Sequence, residues 1–433
     1  MLIRPAKCVR GEIALPGDKS ISHRAAIIAA MADGESRINN FATSADCAAT
    51  LECLRQLGVA IRQKATKVWV EGVGKSGFGV SDRPLDCGNS GTTMRLMAGV
   101  LAGQKFDSVL TGDDSLRRRP MGRIIKPLGQ MGVEIESADG RAPIKIHGLN
   151  PLRPMKYELP FASAQIKSCI LLAGLNGDGE TTVIEPIPTR DHTERMLRWF
   201  GVDVREMGIG DTGKQICLSG DARLTAADMR IPSDISSAAF FLIAAFCLEN
   251  SDLTVVNVGL NPTRIAVIDI LRRFGADIRF ENQGEQNNEP VGDVRVMGGL
   301  TARTEPLIKG NVIANLIDEL PILAILGTQL ERGLEVRDAA ELRVKETDRI
   351  AAIVENLRRM GAEAEEFEDG FKVGKSKLIG ARVDSFGDHR IAMAFAVAGL
   401  LADEGETEIL GAECVDVSFP GFFETLQDAV VYE

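Results

Sequence analysis

LPGDKSISHR, residues Leu15 to Arg24, couples a Pro16-Gly17 turn to a helix start that carries Lys19, Ser20, Ser22 and Arg24. The first backbone N–H groups of a helix have no partner within it and bear partial positive charge. A lysine, an arginine and two hydroxyls placed there make an anion trap. Taken alone, such a stretch reads as an ordinary helix cap with two surface cations. Its weight comes from repetition.

One unit recurs along the 433 residues. It opens with a polar turn rich in Gly, Pro, Ser or Asp, continues into a small-residue apolar helix, then a strand, then an amphipathic helix. The openings are PGDKS at Pro16, CGNSGTT at Cys87, PFASAQ at Pro160, PSDISS at Pro232, IDELP at Ile317 and FGDHR at Phe386. The closings place glycine at Gly58, Gly132, Gly201, Gly275 and Gly361, in LGVAI, MGVEI, FGVDV, FGADI and MGAEA; the sixth unit stops at GFFETLQDAV, before its glycine. A helix commonly ends on a left-handed residue, where glycine escapes the Cβ penalty, and the VxI or AxI that follows starts a strand.

The two helices of a unit differ in kind. TDRIAAIVENLRRMG puts Ile350, Ile353, Leu357 and Met360 on one face. SSAAFFLIAAFCL, HRIAMAFAVAGLLA and SAQIKSCILLAGL are apolar all round, so they require enclosure on every side. The expected fold is therefore α/β and inside-out: buried parallel helices with sheets outside, their polar N-termini gathered at one face. Six units suggest two domains of three, residues 15–225 and residues 1–14 plus 226–433, with the anion-binding ends facing an interdomain cleft. ENQGEQNNEP, Glu281 to Pro290, reads as a hairpin loop.

A net charge of −11 leaves no basic surplus for a nucleic-acid partner. Eight cysteines without a CxxC favour reduced, buried thiols. The longest apolar run, Ala238 to Leu248, is shorter than the roughly 20 residues a membrane span needs, and MLIRPAKCVRGE has no apolar signal core. The expectation is a soluble, cytoplasmic monomer with no membrane partner. His23, His147, His192 and His389 have no metal-ligand spacing, and neither GxSxG nor GxxxxGK[ST] is present. What remains is electrostatic chemistry: hold two anions together and move protons with carboxylates.

The residues for it lie at the unit openings and the turns beside them. Lys19, Ser20 and Arg24 come from the first, Asn89, Gly91, Arg95 and Arg119 from the second, and Ser163, Gln165 and Arg190 from the third. The fifth adds Asp318 and ELRVKETDR with Lys345, Glu346 and Arg349; the sixth adds Asp388 and Arg390. RVKETDR alone reads as a solvated helix face, and GNSGTTMR alone as a glycine-rich turn.

LPGDKSISHR, GNSGTTMR, the RRRP at Arg117 to Pro120, SAQ at Ser163, DELP at Asp318, RVKETDR and GDHR resemble, in order and spacing, the signature segments of the 5-enolpyruvylshikimate-3-phosphate synthases. SAQ with TRDHTE is similar to the variant of that family in which this pair replaces a double-serine segment. The resemblance implies two domains of three βαβαββ units closing on shikimate 3-phosphate and phosphoenolpyruvate. It implies transfer of an enolpyruvyl group to the 5-hydroxyl by addition then elimination, without metal or organic cofactor. Carried over, it has Lys19 touching both substrates and Ser20 and Arg24 holding the shikimate carboxylate. Ser163, the Ala164 backbone, Gln165 and Arg190 take the phosphate and ring. Gly91, Arg119, Arg349 and Arg390 line the phosphoenolpyruvate pocket, and Asn89 is a further substrate-binding residue. Asp318 and Lys345 contact ring hydroxyls and phosphate, Asp318 taking the 5-hydroxyl proton and Glu346 protonating the methylene carbon; the two labels could be exchanged.

Glu341 stands where many members have asparagine, and Val417 where many have a lysine. Ser90 and Thr93 replace residues more often alanine or glycine, and Gly91 leaves room for glyphosate to compete with phosphoenolpyruvate. The sister enzyme that uses UDP-N-acetylglucosamine typically carries a reactive cysteine where this chain has Asp114. A non-catalytic anion-binding protein is the rival of another class. Asp318 and Glu346 argue against it, because carboxylates among cations weaken anion affinity and make sense as proton handlers.

Overall fold

A computed structural model describes residues 1–210, 212–300 and 306–432. Five βαβαββ repeats are followed by a sixth that is cut short after its second helix, with only the strand Val430–Val431 beyond Phe422–Ala429. The first helices span Lys19–Met31, Gly91–Ala102, Ala164–Gly174, Ile235–Cys247, Leu320–Gln329 and His389–Leu400. The second helices span Ala45–Gln56, Gly122–Gln130, His192–Trp199, Ala266–Arg273, Arg349–Arg359 and Phe422–Ala429.

The two kinds behave as their patterns require. Every residue of His389–Leu400 is buried, as is every residue from Ile235 to Phe246. In Arg349–Arg359 the apolar stripe of Ile350, Ile353 and Leu357 is buried while Glu355, Arg358 and Arg359 face solvent. Each amphipathic helix of the first five repeats stops the same way. Gly58, Gly132, Gly201, Gly275 and Gly361 adopt φ of +85°, +98°, +89°, +89° and +81°. The next residue's N–H then reaches back to a leucine carbonyl: Val59 to Leu54, Val133 to Leu128, Val202 to Leu197, Ala276 to Leu271 and Ala362 to Leu357.

Four of the sheets among the described residues share one order. In the second repeat Leu85–Asp86 pairs parallel with Asp107–Thr111, which pairs antiparallel with Arg141–His147, which pairs antiparallel with Glu134–Ala138. The first and fourth repeats exchange their leading strands. Met229–Arg230 pairs parallel with Asp33–Asn39 of the first, and Cys8–Ala14 pairs parallel with Asp252–Gly259 of the fourth. Gly17 lies just after this exchange, where a Cβ would stand 1.8 Å from the Asn40 carbonyl oxygen, so only glycine fits.

The chain forms two compact units. One holds Gly17–Ile231 with Glu285–Glu289; the other holds Met1–Pro16, Pro232–Gly284 and Pro290–Glu433. Each has its own hydrophobic core built on three enclosed helices. The expected loop at Glu281–Pro290 is corrected: strands Asp277–Gln286 and Glu289–Met297 run through it and leave only two residues between them. The turn is Asn287-Asn288, both at positive φ, the geometry of a two-residue hairpin that asparagine tolerates. All eight cysteines are free thiols, six of them buried. Among the described residues no helix is long and apolar enough to cross a membrane.

The closing glycines make a direct test of backbone cost. Gly201 has open space around its Cβ position but φ +89°, whereas Gly208 has open space without positive φ. Urea unfolding should show Gly201→Ala destabilised by about 1 kcal/mol or more, with Gly208→Ala close to the parent.

Candidate active site

In the Gly17–Ile231 unit three helix starts lie side by side. Asp18 caps the first, accepting from the Ile21 N–H at 2.9 Å, which leaves Lys19 as the first helical residue. Its Nζ is 2.8 Å from Asp46 Oδ2, in the first turn of Ala45–Gln56. Arg24, only 3 % exposed, donates Nε to Thr193 Oγ1 (2.7 Å), Nη1 to the Ser20 carbonyl (2.9 Å) and Nη2 to Ser168 Oγ (2.9 Å). Ser22 is not part of this surface. It is buried, and its hydroxyl accepts from the Ala42 N–H, so Ser20 is the hydroxyl left at the helix end.

Ser90 caps the second start, with its hydroxyl accepting from the Thr93 N–H. Arg95 donates Nη1 to Gln165 Oε1 at 2.6 Å, and Gln165 donates Nε2 to Thr92 Oγ1 at 3.0 Å. Arg119 donates to Asn89 Oδ1 at 2.6 Å, and Asn89 donates to Asp113. Gly91 lies between the two arginines: a Cβ there would stand 2.7 Å from Arg95 Nη1 and 3.6 Å from Arg119 Nη1. Ser163 caps the third start, ahead of Ala164 and Gln165, and Arg190 is half-buried beside Thr189. Beneath these starts runs a hydroxyl chain. His23 Nδ1 and Thr50 share a hydrogen bond of 2.7 Å, Thr50 and Thr93 another of 2.7 Å, and Thr93 donates to Ser90 at 2.8 Å. Burial first, then Lys19 and Arg24, hold the His23 imidazole well below its ordinary pKa.

The other unit is centred on Arg349, 1 % exposed. Its guanidinium meets three carboxylates: Nε to Asp388 Oδ2 at 2.7 Å, Nη2 to Glu346 Oε2 at 2.7 Å, and Nη1 3.5 Å from Asp318 Oδ1. Burial alone would lower its pKa, but Asp388, Glu346 and Asp318 outweigh it and raise the value. Asp318 is also 3.7 Å from Arg390 Nε, and its carbonyl accepts from Arg390 Nη1. Asp388 caps the helix that Arg390 enters. Burial pushes the half-exposed Lys345 ammonium down, while Asp318 and Glu341 pull it up. Glu341, at the position where many family members have asparagine, thus acts on Lys345.

Each unit gathers the candidates that its stretch of chain supplies. Two buried clusters escaped the sequence reading. Lys167, Glu185 and Glu194 are 0 %, 1 % and 1 % exposed, with Lys167 Nζ at 2.9 and 2.7 Å from the two carboxylates. In the other unit Ser236 donates to Glu319, accepts from Arg264 Nη2 at 2.6 Å, and Arg264 lies 3.8 Å from Asp234. The signal for the first was present: a lysine inside an enclosed helix needs a buried counter-charge.

Residues 3–426 match the family described as EPSP synthase (3-phosphoshikimate 1-carboxyvinyltransferase). The chain is 51 % identical to the 3-phosphoshikimate 1-carboxyvinyltransferase of Solibacter usitatus and 48 % identical to that of Geobacillus kaustophilus, over 98 % and 97 % of both partners' lengths. A solved structure of EPSP synthase from Acinetobacter baumannii superposes with a TM-score of 0.87 at 43 % identity, covering 100 % of this chain and 98 % of that one.

Two measurements check the electrostatics. Arg349→Met leaves the fully buried Asp388 without its charged partner, so denaturant unfolding should lose about 3–5 kcal/mol. His23 stays neutral in the fold while the unfolded imidazole binds a proton below pH 6.5. Its contribution is complete above that pH and falls as pH drops toward the folded value, by at most about 1.4 kcal/mol per unit. His23→Gln should remove that part of the acid slope.

Proposed function

The chain belongs to the EPSP synthase family and transfers the enolpyruvyl group of phosphoenolpyruvate to the 5-hydroxyl of shikimate 3-phosphate, and on that premise we propose how its residues do so. Lys19 bridges the two substrates. Ser20 and Arg24 bind the shikimate carboxylate, and Ser163, the Ala164 N–H, Gln165 and Arg190 bind the phosphate and ring. The Gly17–Ile231 unit offers these at two helix starts, where partial positive charge adds to the side chains, and on the loop carrying Arg190. Gly91, Asn89, Arg119, Arg349 and Arg390 are the residues we assign to phosphoenolpyruvate. Val417 brings no cation, so the pocket charge falls to those arginines.

The observation that carries the proton chemistry is the Arg349–Glu346 pair at 2.7 Å. When an anionic group of phosphoenolpyruvate takes over Arg349 Nη2, Glu346 loses its counter-charge and faces negative charge, which strengthens its hold on a proton. Glu346 then gives that proton to the methylene carbon as the 5-oxygen bonds to C2. Asp318, between the Arg349 and Arg390 guanidiniums, accepts the 5-hydroxyl proton. Elimination reverses the traffic: a methyl proton leaves, the C2–O bond to phosphate breaks, and the enol ether forms. Lys345, with Asp318, meets the ring hydroxyls and phosphate, and an anion beside it favours the charge that burial opposes. In this reading the enzyme works as a monomer on two small molecules, in the cytoplasm, where free thiols such as its eight cysteines stay reduced.

Phosphate release from the purified protein should require both substrates and persist in EDTA. Release with one substrate omitted, or none with both present, would sink this reading. Gly91→Ala pushes a methyl against Arg95, so it should weaken glyphosate inhibition at least about tenfold and raise KM for phosphoenolpyruvate severalfold. Unchanged inhibition would move the pocket away from Gly91.

A further inference from the structure

Lys167 lies in the helix Ala164–Gly174, two residues past Gln165, with no exposed surface. Its ammonium joins Glu185, at the end of the strand Glu180–Glu185, to Glu194, in the helix His192–Trp199. Burial would strip its proton, yet the two carboxylates reverse that and raise its pKa. Glu185 also accepts a hydrogen bond from Thr189, the residue before Arg190. Thr193, the residue before Glu194, accepts from Arg24 Nε and shares a hydrogen bond of 2.6 Å with Ser168, the residue after Lys167. One ammonium therefore sits at the junction of the helix start Ser163–Gln165, the loop carrying Arg190, and the bracket around Arg24.

We propose that Lys167, with Glu185 and Glu194, is a positioning residue that sets the shikimate 3-phosphate half of the site as one rigid piece. The three elements it joins carry the residues assigned above to the shikimate carboxylate and phosphate, and this inference rests on that assignment. Asn89 and Arg119 hang on other bonds, through Asp113 and Ser115. The cluster also gives a physical reason for SAQ and TRDHTE occurring together: SAQ runs on into Lys167 and TRDHTE ends on Glu194, and an isolated member of that pair would be an uncompensated buried charge.

The test uses three variants of the full chain: Lys167→Met, the neutral triple Lys167→Met/Glu185→Gln/Glu194→Gln, and Thr189→Val. The triple removes the buried charges together, so its melting temperature should stay near the parent where Lys167→Met falls. In the triple, KM for shikimate 3-phosphate should rise at least about tenfold, with KM for phosphoenolpyruvate within about twofold. Calorimetric binding of shikimate 3-phosphate alone should weaken by the same factor. Thr189→Val, which removes one hydroxyl, should raise the same KM by a smaller factor. A folded triple with parental KM for shikimate 3-phosphate, or equal rises for both substrates, overturns the proposal. Parent protein that turns over neither substrate overturns the functional reading instead.

Discussion

A helix that is apolar on every side has to be enclosed, and the rest of this structure follows from enclosing six of them. Strands are displaced outward, and each enclosed helix can show solvent only its ends. In the Gly17–Ile231 unit three starts lie together, so Arg95 of one helix reaches Gln165 of the next and Arg24 reaches Ser168. In the other unit Ser236, Glu319 and Arg390 lie at or beside the starts of its three enclosed helices, and Ser236 bonds Glu319 while Arg390 bonds Asp318. Packing, which concerns only apolar surface, thereby decides where polar chemistry can occur.

The two units divide the electrostatics unequally. The Gly17–Ile231 unit presents cations whose bonds run largely to hydroxyls, amides and carbonyls, as with Arg24 and Arg95. The other holds its central cation, Arg349, among three carboxylates. Such a cation is a switchable one, since an arriving anion competes with Glu346 for it and changes the carboxylate's readiness to carry a proton. These side chains suffice to move the protons of addition and elimination.

Much of this was legible in the sequence because its causes are local. Apolar-all-round helices, five closing glycines and the N-cap residues Asp18, Ser90 and Ser163 announce themselves within a few residues. The exchange of leading strands was legible only as the assignment of residues 1–14 to the later repeats; its partner, Met229–Arg230, is a two-residue strand too short to leave a pattern. The Asn287-Asn288 hairpin was blurred because the exposed strand before it is as polar as a loop. Ser22 looked like part of the anion trap, since sequence does not say which way a helix start turns. The Lys167 cluster joins residues 18 and 27 positions apart, and a helix read as uniformly apolar concealed the one lysine that contradicted it.

The most direct measurement of the central claim is deuterium exchange into the methylene group of phosphoenolpyruvate in D2O with shikimate 3-phosphate present. It reports protonation of that carbon and its reversal, separately from binding. The parent protein should wash deuterium into unreacted phosphoenolpyruvate, and Glu346→Gln should bind both substrates yet exchange at least about a hundredfold more slowly. Exchange at the parental rate in Glu346→Gln would contradict the account and pass the proton to another group.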